Sequence, residues 1–116
     1  MIHKNSQMVS EHKPNIRGGE GSPLFQFLFS SEELGGRISM LAAVTLQPGE
    51  SVGVHPHVDN GEVYYILQGK AMVEEDGVET ELSAGDAEFC ADGHSHAIRN
   101  HTDEPTVFLA LIVPNR

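Results

Sequence analysis

Only one cysteine, Cys90, occurs in the chain, so no internal disulfide can form. The N-terminal stretch MIHKNSQMVSEHKPNIRGGEG lacks the apolar core of a secretory signal, and a reducing cytoplasm is the expected compartment. Basic residues are scarce: seven Lys and Arg face seventeen Asp and Glu, a formal net charge of −10. That field repels phosphate backbones and anionic membranes, so neither nucleic acid nor a membrane is an expected partner. The longest apolar run, VFLALIV at 107–113, ends at Pro114, far short of the roughly 20 residues that span a bilayer. At 116 residues there is room for one domain around one modest core.

Helical periodicity is almost absent. Residues 1–23 are polar, with Gly18, Gly19 and Gly21 close together and Pro14 and Pro23 interrupting any helix, which predicts an N-terminal arm or irregular loop. Short apolar runs follow: LFQFLF at 24–29, ISMLAAVTL at 38–46, EVYYIL at 62–67 and VFLALIV at 107–113. Pro48-Gly49, Asn60-Gly61, Asp76-Gly77, Gly85-Asp86 and Asp92-Gly93 lie between such runs and suit tight turns. The pattern predicts an all-β sandwich or barrel over 24–116, connected mostly by hairpins. One helical turn is expected at 30–34, with Ser30 as cap, Glu33 closing a capping box and Gly35-Gly36 as the stop.

Five of the seven histidines fall between residues 55 and 101. His55 and His57 are two apart, so on a strand both imidazoles leave the same face and can share an ion. Pro56 between them suits a strand edge or end. Glu62 follows after Val58-Asp59-Asn60-Gly61, whose Asn-Gly pair can return a carboxylate beside the rings, so that three ligands converge across one hairpin. His96, beyond the Asp92-Gly93 turn, completes three nitrogens and one oxygen, a set suited to a borderline divalent metal, the alternative being ordinary polar residues on the open side of an antiparallel sheet.

The spacing around these residues is that of two linked motifs. Gly49, five residues, His55-Pro56-His57, four residues, Glu62, six residues and Gly69 form the first. Gly85, five residues, Ala91-Asp92-Gly93, two residues, His96, three residues and Asn100 form the second, after a 15-residue spacer. Residues 49–100 thereby resemble the cupin superfamily, departing from its pattern only at Ala91, where a proline is usual. The resemblance implies a double-stranded β-helix, or jelly-roll, barrel as a single domain over 24–116. It implies one divalent transition metal on His55, His57, Glu62 and His96, manganese or iron being favoured and zinc, nickel or cobalt also accommodated. The chain is most similar to small single-domain bacterial cupins of the oxalate-decarboxylase-like kind, which often carry a glycine-rich approach like Arg17 to Gly21 here. Oxalate decarboxylases proper resemble two such domains fused, with an acidic lid residue that has no counterpart in this chain.

Around the metal, Tyr64 and Ile66 share the parity of Glu62 and are expected to line the cavity, Tyr64 either as a hydrogen-bond donor to a ligand or as a packed core tyrosine. His94, two before His96, is a candidate base or fifth ligand, against a solvent-facing turn residue beside Gly93. Cys90 fits a small buried apolar position, Asn100 a turn, and Arg17 a mobile solvated arm by default, or a contact to an anionic ligand if the arm folds over the barrel mouth. His3, His12 and His101 have no supporting geometry. Four protein ligands leave positions open on a six-coordinate ion, and the single carboxylate leaves that ion net positive, so the expected partner is a small anionic molecule chelating through neighbouring oxygens. Two functions follow. One is a metalloenzyme acting on a small oxygen-rich acid or diketone by decarboxylation, dioxygenation or isomerisation, with Tyr64 and His94 as catalytic candidates. The other is a non-catalytic ligand binder or sensor. A homodimer is expected as well, because LFQFLF is apolar on both strand faces and a barrel this small covers only one.

Overall fold

The computed structural model describes residues 1–115. Ten strands form two antiparallel sheets: β1 (Val9–His12), β2 (Leu24–Phe27), β3 (Met40–Leu46), β4 (Ser51–Pro56), β5 (Asn60–Gln68), β6 (Lys70–Glu75), β7 (Val78–Ser83), β8 (Ala87–Cys90), β9 (Ser95–Arg99) and β10 (Thr106–Pro114). One sheet runs β1-β2-β3-β10-β5-β8 and the other β4-β9-β6-β7, packed face to face as a jelly roll.

Alternation along the strands decides which side chains fill the space between the sheets. Ala42, Val44 and Leu46 of β3 point inward, as do Tyr64 and Ile66 of β5 and Phe108 and Ala110 of β10. Ala71 and Val73 of β6 and Ile98 of β9 meet them from the four-stranded sheet. On β4 the strict alternation is broken: its pairing with β9 shifts register between Val52 and His55. That irregularity resets the parity, so Val52, His55 and His57 are all buried although 52 and 55 differ by an odd number.

The connections differ from the expectation of hairpins. Consecutive strands pair only at β1/β2, β2/β3 and β6/β7; the other links among the described residues cross from one sheet to the other. Turn residues report that the chain reverses, and leave open which strand it then joins. The segment between His57 and Glu62 is the consequential case. Its reversal centres on Asp59, left-handed at φ 63°, whose N–H donates to Asp92 Oδ1 at 2.8 Å, while Asn60 and Gly61 already belong to β5. Because β4 and β5 lie in different sheets, Glu62 meets the histidines across the barrel interior rather than across a hairpin.

Residues 1–23 lie against the barrel. β1 pairs with β2 from Val9↔Phe27 to His12↔Leu24, although all four of its residues are exposed and carry no apolar pattern. Beyond it, Gly19 packs so tightly on β4 that a Cβ would meet Ser51 O at 2.4 Å. At 30–36 the chain makes a run of turns in which one helix-type bond, Leu34 N–H to Ser30 O at 3.1 Å, closes at the expected place, with the capping box formed: Ser30 N–H donates to Glu33 Oε1 at 2.8 Å and Glu33 N–H to Ser30 Oγ at 3.0 Å.

Candidate metal centre and ligand cavity

His55 stands on edge strand β4 directly opposite His96 on β9, His57 follows just past the end of β4, and Glu62 reaches in from β5. All four side chains are buried, at 5 % exposure or less, in the middle of the barrel. Glu62 Oε1 lies 3.4 Å from His55 Nε2, 3.1 Å from His57 Nε2 and 2.9 Å from His96 Nε2. The donor atoms of this group all fall within 4.8 Å of one another.

The outer nitrogens settle how the rings face. His55 Nδ1 lies 2.7 Å from Gly53 O, His57 Nδ1 2.7 Å from Asn60 Oδ1, and His96 Nδ1 2.9 and 3.1 Å from the two oxygens of Glu88. Each of those oxygens can only accept, so each Nδ1 carries a proton and each Nε2 faces inward, where it can offer its lone pair to a bound metal. His57 Nε2 and His96 Nε2 then face each other at 3.1 Å with the Glu62 carboxylate alongside. Three inward Nε2 atoms and an anion converging on one buried point call for positive charge among them, which a metal supplies and which a proton on His96 supplies in its place. A divalent metal on three imidazoles and one carboxylate fits that donor set, and the oxygen behind each ring is the usual support for a ligating histidine.

The electrostatics agree. Burial pushes the Glu62 carboxyl up, but the His55 and His96 imidazoles outweigh it and bring the group down to about 2. Burial works against a charged His96 too, yet Glu62 and Glu88 on its two sides raise it to about 9. The site favours positive charge at its centre.

Tyr64 stacks on His96 with ring centroids 4.5 Å apart at 10° and packs edge-on to Phe108, so its ring braces the ligand. Burial, helped by the Glu62 charge, pushes its phenol well above the usual range and keeps it neutral. It lines the cavity as expected; Ile66 is buried in the core and does not line it. His94 is not brought to the group. Its ring is exposed and pairs with Asp76, and what reaches the site is its backbone oxygen, which accepts from His57 N–H at 3.0 Å. Cys90 faces Glu62 across β8 and β5; burial, with Glu88 adding to it, raises its thiol to about 12, as befits a small buried residue. Asn100 is buried and fully engaged, donating to Leu46 O and Glu104 O and accepting from Thr102.

Beside the donors lies a cavity of about 280 Å³. His55, His57 and Glu62 form one side of it, apolar residues including Phe25, Met40, Val52 and Phe108 the walls, and Lys13 and Arg17 also line it. Arg17 therefore stands where a folded arm would put it. Lys13, Glu88 and Asn60 were not singled out by their sequence context. Asn60 had a local signal, three residues after His57 in an Asn-Gly pair, whereas Glu88 and Lys13 reach the site through pairings distant in the chain.

A family model described as Cupin domain matches residues 42–112. Among curated proteins, the oxalate-binding protein of Thermotoga maritima is 35 % identical over 113 residues, 97 % of this chain and 93 % of the relative. The tetracenomycin polyketide synthase protein TcmJ of Streptomyces glaucescens is 30 % identical over 106 residues, 91 % of this chain and 69 % of the relative. A crystal structure of a predicted oxalate decarboxylase from Thermotoga maritima superposes with a TM-score of 0.94 at 35 % identity, covering 98 % of this chain and 99 % of that one.

Proposed function

The chain belongs to the cupin family, and from that premise we propose that it holds one divalent transition metal, manganese or iron, on His55, His57, Glu62 and His96 and binds a small chelating carboxylic acid at the metal's open positions. One observation carries the reading: four buried donors turned to a single point, each imidazole backed by an oxygen on Nδ1, beside a cavity walled by apolar side chains. The metal would supply a Lewis-acidic charge and vacant sites for two neighbouring oxygens. The protein's own residues orient the ligand, exclude water along the apolar walls and brace the His96 ring through Tyr64. The oxalate-binding relative supports a small acid as the ligand.

Binding is favoured over turnover because the cavity lining holds no carboxylate besides Glu62 and no phenol besides the neutral Tyr64 among the described residues. A proton-transfer step would need a free base there. The test is elemental analysis of protein purified without added metal, then oxalate titration of the manganese-loaded form followed by its magnetic resonance signal. Stoichiometric metal and a saturable change with oxalate support the reading; an unchanged signal overturns it. Turnover on a panel of dicarboxylates, keto acids and diketones would restore the metalloenzyme.

The chain is also proposed to pair with a second copy, through the outer face of the six-stranded sheet. There Leu109 lies beside Tyr65, and Leu111 lies between Leu41 and Val63, with Phe89 next to Val63. These positions alternate with the inward ones and carry no charge, so a continuous apolar ladder crosses four strands, and Tyr65 and Phe89 on it are exposed.

A further inference from the structure

The cavity beside the metal group is lined by His55, His57 and Glu62 of the donor set and, from the N-terminal segment, by Lys13 and Arg17. The chain has only seven basic residues against seventeen acidic ones, and two of the seven line this one cavity. Of the cations elsewhere, Arg99 donates to both oxygens of Glu79 and Lys70 lies 3.9 Å from Glu81, while Lys4 and Arg37 do not line this cavity. The Arg17 guanidinium has no acidic partner among the described residues. Lys13 Nζ sits 3.6 Å from Glu11, a mostly exposed carboxylate and hence a weak claim on it, and 5.3 Å above the ring of Phe25, itself a cavity wall.

The segment that carries them is locked in place. Asn15 (φ 49°, ψ 40°) and Arg17 (φ 55°, ψ 28°) both adopt the left-handed conformation that side chains other than glycine avoid. Lys13 N–H donates to Pro23 O, Asn15 N–H to Gly21 O and Asn15 Nδ2 to Gly19 O. The Arg17 carbonyl approaches β4 so closely that a Cβ on Gly53 would meet its oxygen at 2.1 Å. Two disfavoured conformations held this firmly within three residues mark a segment shaped for what it presents.

We propose that Lys13 and Arg17 form a second anion-binding site within the cavity, so that the ligand is an extended dianion: an oxygen-chelating head at the metal donors, a short apolar middle and a carboxylate on the two cations. The inference rests on the metal-dependent binding reading above and narrows its substrate class to 2-oxo dicarboxylic acids longer than oxalate. Oxalate chelating through both carboxylates has no group left for that second site or for the walls of Phe25, Met40 and Phe108. The cavity holds roughly nine water-sized groups at about 30 Å³ each, more than oxalate fills. A monoacid with an apolar tail fills the walls but leaves the cations without a partner as it displaces their water.

The test compares three probes on the manganese-loaded full chain by calorimetry: oxalate, 2-oxoglutarate and the equally long monoanion 2-oxovalerate. The wild type should bind 2-oxoglutarate about tenfold more tightly than 2-oxovalerate, the value of one charge-assisted contact near a surface. In the Lys13→Gln/Arg17→Gln double variant that preference should vanish, while oxalate, also a dianion, loses much less than 2-oxoglutarate. Equal losses for the two dianions would mean that only the general field had changed, and would overturn the proposal, as would a wild type indifferent to the second carboxylate. Failure of all three probes to bind metal-loaded protein would instead overturn the parent reading and this one with it. Metal content and melting temperature verify the variants; should the double variant misfold, Arg17→Gln alone, at an exposed position, decides the matter by the same comparison.

Discussion

Replacing Asn60 by Ala removes the oxygen that fixes the His57 ring without touching any of the four inward donors. Asn60 Oδ1 accepts from His57 Nδ1 at 2.7 Å, and His57 is only 4 % exposed. In the metal-free variant the imidazole can escape the loss by moving its proton to Nε2 or by rotating. Metal loading forbids that escape, because Nε2 must offer a lone pair and Nδ1–H is then left without a partner. An unsatisfied buried donor costs about 1–3 kcal/mol, and Asn60 is only partly buried, so water can relieve some of it. The low end applies: about 1.4 kcal/mol, a tenfold loss of metal affinity. Asn60 does not sit at positive φ, so Ala brings no backbone strain, and the metal-free melting temperature should hardly change. Asn60→Asp keeps an acceptor at the same place and should retain or raise the affinity. A competition titration of manganese or cobalt against a chromophoric chelator reads all three proteins. Wild-type affinity in Asn60→Ala, or equal losses in the Ala and Asp variants, would refute the claim that this oxygen sets the tautomer.

Removing a donor itself should be far more severe: His57→Ala or His96→Ala should lose most bound metal by elemental analysis, and full occupancy in both would dismiss the assignment. Glu62→Gln exchanges the group's one anion for an amide of nearly the same shape, so metal binding should weaken while the far-ultraviolet spectrum stays that of the wild type. In the metal-free protein His96 is held charged up to about 9, because Glu62 and Glu88 outweigh the opposing effect of burial. A proton then competes with the metal below that pH, so apparent affinity should rise about tenfold per unit from pH 6.5 towards 9 and then level off, with proton release seen in calorimetry across buffers of different ionisation enthalpy. A pH-independent affinity would contradict the arrangement of His96 between two carboxylates. Light scattering should find a dimer at micromolar concentration, and Leu111→Glu, which puts a charge into the outer apolar ladder, should give a folded monomer.

The residues at the centre were legible because the information that specifies them is local. His55, Pro56 and His57 adjoin in the chain, Glu62 follows within one short loop, and His96 stands at a fixed distance from a turn, so spacing together with the resemblance to the cupin motifs brought out all four donors that the structure gathers. The all-β class was legible for the same reason: alternation and turn chemistry are properties of a few neighbouring residues. Strand partnership is not. The expected hairpins gave way to sheet-to-sheet crossings because closing a barrel depends on which distant strands share a core, and Asn60-Gly61 marked a reversal without marking that β5 would join the opposite sheet.

What only the tertiary structure decided follows from contacts between residues far apart in sequence. The irregular pairing of β4 with β9 brings Val52 and His55 to the same interior despite their odd separation. Glu88 reaches His96 only because β8 closes the edge of the sheet on which Glu62 lies. Residues 1–23, polar and without apolar rhythm, carry no signal for burial, yet backbone pairing with β2 and the side-chain-free surfaces of Gly19 and Gly53 seat Lys13 and Arg17 beside the cavity. Sequence by itself determined the chemistry of the donors, because that depends on residue type and short spacing. Folding decided what surrounds them, because burial, tautomer and field are set by neighbours that only the closed barrel brings together.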